Sequence, residues 1–154
     1  MGSITTAFPT SFKAELAQAI HNFTTTSGNV FKVALIIPSP TGTYGATSIN
    51  YSDITGNSDE VPNGSGYTTG GFAFTAAQNI TPTTTSTTAF WSWSVNPNWT
   101  SATFSAAGCM IYNSSASNKA VYVGSFGGTV SVTAGTLTLT LPTNNSSSAI
   151  LRIA

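Results

Sequence analysis

The chain has 154 residues, of which four are Lys or Arg, four are Asp or Glu and one is His, so charge occupies only 5% of it and the formal net charge is zero. With Lys13, Lys32, Lys119 and Arg152 scattered along the sequence, a nucleic-acid partner is excluded, because holding a phosphate backbone takes several cations on one surface. One cysteine, Cys109, rules out an internal disulfide, and with a single histidine beside it no tetrahedral zinc site can close.

An apolar fraction of 40% argues for a folded core rather than disorder, and the length suits one domain over residues 1–154. The start has neither a basic flank nor an unbroken apolar run, so no signal peptide is expected, and no window predicts a membrane-spanning helix. Residues 1–10 are expected to be a flexible arm that orders on docking.

A helix is predicted over residues 11–23, behind Pro9 and with Thr10 and Ser11 as N-cap candidates. Phe12, Leu16, Ala19, Ile20 and Phe23 recur at helical spacing and make one apolar stripe. That register puts His21 on the solvated face. Residues 30–37 (VFKVALII) form a nearly unbroken apolar run, as a central strand covered on both faces would, and Pro38 and Pro40 close it.

Beyond Pro40 the punctuation is that of an all-β chain, with strands predicted at 46–51, 71–76, 89–95, 102–112, 120–126, 129–132, 136–141 and 149–153. Leu137, Leu139 and Leu141 alternate with threonines, and Trp91, Trp93 and Val95 alternate with Ser92 and Ser94, as in half-buried antiparallel strands. The threonine-rich run 81–88 reads as a mobile loop. The fold class expected is mainly β, an antiparallel two-layer β-sandwich of jelly-roll or immunoglobulin-like type with one N-terminal amphipathic helix.

Residues that could carry chemistry are few. A Ser-His-acid triad would have to use His21, and no nucleophile elbow surrounds any serine. Asp53, Asp59 and Glu60, with Asn50 and Asn57, supply oxygen ligands without the spacing of a calcium loop, so a solvated turn is expected there. The glycines between Gly64 and Gly71 have the wrong spacing for a nucleotide loop and read as turn chemistry. Cys109 reads as a buried small hydrophobe. Trp91, Trp93 and Trp99 are the candidate contact residues, able to stack on a sugar or anchor an interface if exposed, although the alternation with serine favours a place in the core.

Four segments, at residues 22–36 (NFTTTSGNVFKVALI), 59–71 (DEVPNGSGYTTGG), 99–115 (WTSATFSAAGCMIYNSS) and 148–154 (SAILRIA), together resemble a family of small tailed-bacteriophage structural proteins. The resemblance implies a non-enzymatic virion protein, foremost a capsid decoration or cement protein bound to the major capsid protein or other virion proteins as a homo-oligomer. The alternative is a tail or fibre module that binds a host-surface glycan, through the tryptophans, or another tail protein. It implies no catalytic residue, cofactor or metal, and a virion location.

Overall fold

The run 31–36 organises the molecule. In the computed structural model, which describes residues 1–154, strand β2 (Phe31–Ile36) has every residue but Lys32 buried. Its side chains divide between two apolar clusters on opposite faces: Phe31, Val33 and Leu35 point into the larger, Ala34 and Ile36 into the smaller. A two-residue alternation with both faces apolar is what a fully covered strand requires.

Around β2 runs a four-stranded antiparallel sheet in the order β4 (Phe72–Phe74), β2, β7 (Asn98–Asn113), β8 (Lys119–Thr138). A second, three-stranded antiparallel sheet has the order β5 (Thr83–Thr85), β6 (Thr88–Trp91), β9 (Leu151–Ile153). Trp91, Leu151 and helix α1 (Thr10–Ala17), through Phe12, join Phe31, Val33 and Leu35 in the larger cluster. On the opposite face, Tyr44 of β3 (Thr43–Tyr44) and Ile54 of the short helix α2 (Ser52–Gly56) cover Ala34, Ile36, Met110 and Val123. The protein is thus mainly β, with antiparallel sheets and two helices, and the predicted central strand occupies the place its burial demanded.

Residues 1–10, expected as an arm, are tied to the fold. Strand β1 (Ser3–Ile4) pairs parallel to β3, Thr5 N–H donates to the Tyr44 carbonyl at 2.8 Å, and Ala7 exchanges two 3.0 Å bonds with Val123. Helix α1 is shorter than predicted. Ala19 takes φ 56° and the Ile20 N–H closes onto the Glu15 carbonyl at 3.1 Å, so the helix stops and residues 20–23 no longer follow its period. No side chain caps its start.

The strand predicted at 46–51 does not form. Asp53 accepts the Ile49 and Asn50 N–H groups at 2.7 and 3.2 Å and Asn50 accepts from Ser52 at 3.0 Å, so side chains capture backbone donors that a ladder would use. The run 81–88 is not a loop but most of a hairpin, β5 and β6 joined across Ser86 and Thr87, with Ser86 at φ 55°. The three strands predicted between 120 and 141 are largely one, β8. Its break at Gly127 is a bulge where the pairing jumps from Ala106–Val130 to Gly108–Ser125. In β7, Ser101 at φ 50° inserts an extra residue, so Trp99 and Ala102, three apart, face the same core.

Candidate functional site

The tryptophans are interior. Trp91, Trp93 and Trp99 are 5%, 4% and 5% exposed, so as folded they offer no flat face to a sugar. Phe74 stacks on Trp93 at 4.9 Å between ring centroids, and Tyr67 stacks on Trp99 at 6.2 Å. The alternation with serine does not give a solvated face here, because Ser92 is buried too. The ladder ends at Trp91 and the Ser92 carbonyl turns to accept from Ile80 N–H at 3.0 Å. The Nε1–H groups of Trp91 and Trp93 meet no acceptor within the fold.

His21 is the main correction to the sequence reading. It is buried, not solvated, because the chain reverses after Ala17 and turns the imidazole in beside Phe12, 5.0 Å between centroids. Its Nε2 lies 2.8 Å from Glu15 Oε2 and its Nδ1 3.0 Å from Asn113 Nδ2. The amide of Asn113 donates to Nδ1, which leaves the proton on Nε2 to donate to Glu15. Burial lowers the His21 pKa, against the opposing pull of the Glu15 bond, so the ring is neutral near pH 7. Burial also pushes Glu15 upward, but the bonds from Lys119 Nζ, 2.7 Å away, and from His21 outweigh it and hold the carboxylate below its ordinary value. Together Glu15, His21, Asn113 and Lys119 fasten α1 to β7 and β8.

Asp59 is likewise enclosed, at 1% exposure, where a solvated turn was expected. Its carboxylate accepts from Thr41 N–H at 2.9 Å, Gly42 N–H at 2.8 Å and the Tyr44 hydroxyl at 2.5 Å. Burial raises its pKa, yet these bonds more than reverse that and leave it lowered, while Tyr44 is pushed up to about 12 by burial and by Asp59. Glu60 accepts from the hydroxyls of Tyr51 at 2.5 Å and Tyr67 at 2.7 Å and from Gly70 N–H at 2.7 Å. Asp53, Asp59 and Glu60 therefore each anchor a loop, and His21 is bonded to Glu15 rather than to any of them. No three acid, histidine or cysteine side chains converge as metal ligands would. Cys109 is buried as expected, and burial drives its thiol up to about 12, which leaves it without a thiolate at neutral pH.

Comparison with protein-family models, with curated proteins and with solved structures returns no match.

Two surfaces remain as candidate sites. The first is the outer half of the β7–β8 hairpin. Phe104, Ala106 and Val132 turn toward the larger core, so the alternation sends Thr103, Ser105, Ser131 and Thr133 to the opposite face, where Ser105 is half-buried and the other three are exposed. The Ser105 and Ser131 hydroxyls meet at 2.7 Å across the pair, and no charged residue lies between Asn98 and Asn113 or between Ala120 and Thr138. The second is an apolar groove of about 590 Å³ between α1 and β9, walled by Phe8, Phe12, Leu16, Trp91 and Ile153 with Lys13 and Arg152 at its rim. The sequence singled out neither the residues of this hydroxyl face nor the groove. The hydroxyl face depends on where bulges reset the alternation, and the groove joins residues more than a hundred positions apart.

Proposed function

We propose that this chain is a non-enzymatic bacteriophage virion structural protein, built as a β-sandwich of jelly-roll or immunoglobulin-like type, that decorates the assembled capsid as a homo-oligomer. One observation carries the reading: the uncharged hydroxyl face of the β7–β8 hairpin, exposed along Thr103, Ser131 and Thr133. Such a face can be covered by another protein without stripping water from a charge, and its hydroxyls find new partners as they lose water. The commitment of all four carboxylates to internal hydrogen bonds agrees with it, since Asp53, Asp59 and Glu60 hold loops and Glu15 holds helix α1. Each contact is weak, and repetition by the symmetry of a capsid supplies the avidity. The partners on this reading are the major capsid protein and neighbouring copies.

The experiment is cryo-EM of intact particles joined to a co-sedimentation assay. Density for the chain at symmetry-related head positions, with Ser131 and Thr133 against the capsid, is the expected result. The double variant Ser131→Glu, Thr133→Glu should fold normally yet lose co-sedimentation with capsids. Density confined to the tail, or undiminished binding by the variant, would discard the decoration reading.

A further inference from the structure

One wall of the groove between α1 and β9 is a strand that carries an open edge. Strand β9 is the outer strand of its sheet. It pairs with β6 through Ala89–Ile153, Phe90–Arg152 and Trp91–Leu151, and no backbone hydrogen bond is made on its other side. The helix residues Phe12 and Leu16 line the groove opposite β9, and Trp91 of the neighbouring strand β6 lines it as well. An edge strand facing a helix across an apolar channel is the geometry in which an extended peptide adds to a sheet: its backbone completes the ladder and its alternate side chains fill the channel.

The charged side chains on the groove are all cationic. Lys13 and Arg152 are both exposed, are half of the chain's cations, and no acidic side chain lines the groove with them. Trp91 adds an indole N–H that is buried and without an acceptor. Donors and cations around an apolar channel select an occupant that brings apolar side chains and an anionic group. The open ladder selects a polypeptide over a single-chain amphiphile, which has no backbone to pair. A second copy of this chain brings no uncommitted acidic side chain, because Glu15, Asp53, Asp59 and Glu60 are each held by internal hydrogen bonds.

We propose that the α1–β9 groove is a strand-addition site for an extended, apolar segment of another protein that carries an acidic residue near Lys13 and Arg152. This site is separate from the β7–β8 face, so either can fail without the other.

The test uses the full chain and an acetylated hexapeptide that alternates valine with threonine and contains one aspartate. Nuclear magnetic resonance titration should show saturable shifts at the Arg152 and Ile153 amides and at the Trp91 indole N–H, with slowed amide exchange along β9. The exposed double variant Lys13→Glu, Arg152→Glu should keep the native spectrum and weaken binding by about tenfold. The same peptide N-methylated at alternate amides should not bind. Absence of saturation at millimolar peptide would overturn the proposal. So would equal affinity for a lysine-for-aspartate peptide, full binding of the N-methylated peptide, or displacement of the hexapeptide by dodecanoate at a lower concentration than the peptide needs.

Discussion

At the scale of single residues, the few ionisable groups act as internal fasteners, and their pH behaviour follows from that. The His21 pKa is lowered from 6.5, so below that value the unfolded chain takes up a proton that the folded chain still refuses. Its contribution to stability is complete above 6.5 and is lost as pH falls. Glu15 is lowered from 4.5 and Asp59 from 3.8, so each adds a further loss in the same direction at lower pH. Urea midpoints should decline from neutral pH downward, and His21→Gln should remove the first part of that decline. The substitution should cost about 1–3 kcal/mol at pH 7, because Glu15 and Asn113 each lose a buried partner. A midpoint that rises on acidification would contradict the buried His21–Glu15 pairing. Asp59→Asn keeps the shape but removes the charge facing Thr41 and Gly42, and a loss of about 2–3 kcal/mol is expected in the same assay. The tryptophans supply a third check: iodide should leave their fluorescence nearly unquenched and the emission blue-shifted, since none is more than 5% exposed.

At the scale of elements, the backbone is set at a few positions where the chain must turn or come close. Ala19 holds φ 56° at the end of α1 with its side chain exposed, a site where glycine removes the steric cost. Ala19→Gly should raise stability by about 0.5–1 kcal/mol, read from denaturant midpoints. A drop would mean that the helix continues toward Phe23 after all. Gly71 is the opposite case. It sits at φ 76°, and a Cβ there would lie 1.8 Å from the Val33 carbonyl oxygen, inside the central strand. Gly71→Ala should therefore separate β4 from β2 and cost at least about 3 kcal/mol, with exchange protection lost first at Phe72 and Phe74. Helix and strand existence was readable in the sequence at 31–36 and in most of β6 and β7, where periodicity and β-branched or aromatic residues agree. It was not readable at 46–51, where side-chain bonds from Asp53 and Asn50 outcompete the ladder. Nor was it readable at 81–88, whose threonines are as consistent with a polar loop as with an exposed strand.

For the whole molecule, one sheet has both faces covered near β2 and one face bare along the outer hairpin. Global opening governs exchange at β2, so Val33 to Ile36 should be the slowest amides, and Thr129 to Thr133 should exchange faster at the uncovered edge. A chain with no net charge and so few ions also has little electrostatic self-repulsion. The association behaviour this predicts is dominated by uncharged contact and is nearly unaffected by raising the salt concentration.

By itself the sequence determined the mainly β character of the fold, the central strand, the burial of Cys109 and the scarcity of ionisable side chains. These are properties of composition and of periodicity over a few residues, which local physics translates directly. The interior places of His21 and Asp59, the joining of β8 across Gly127, and the groove between α1 and β9 were decided only by tertiary structure. Each depends on a chain reversal or a bulge that shifts the register, or on partners tens of residues away, such as Asn113 for His21 and Leu151 for Phe12. A side chain's neighbours follow from its period only while the element that sets the period continues, and in this chain the elements end or slip where those residues stand.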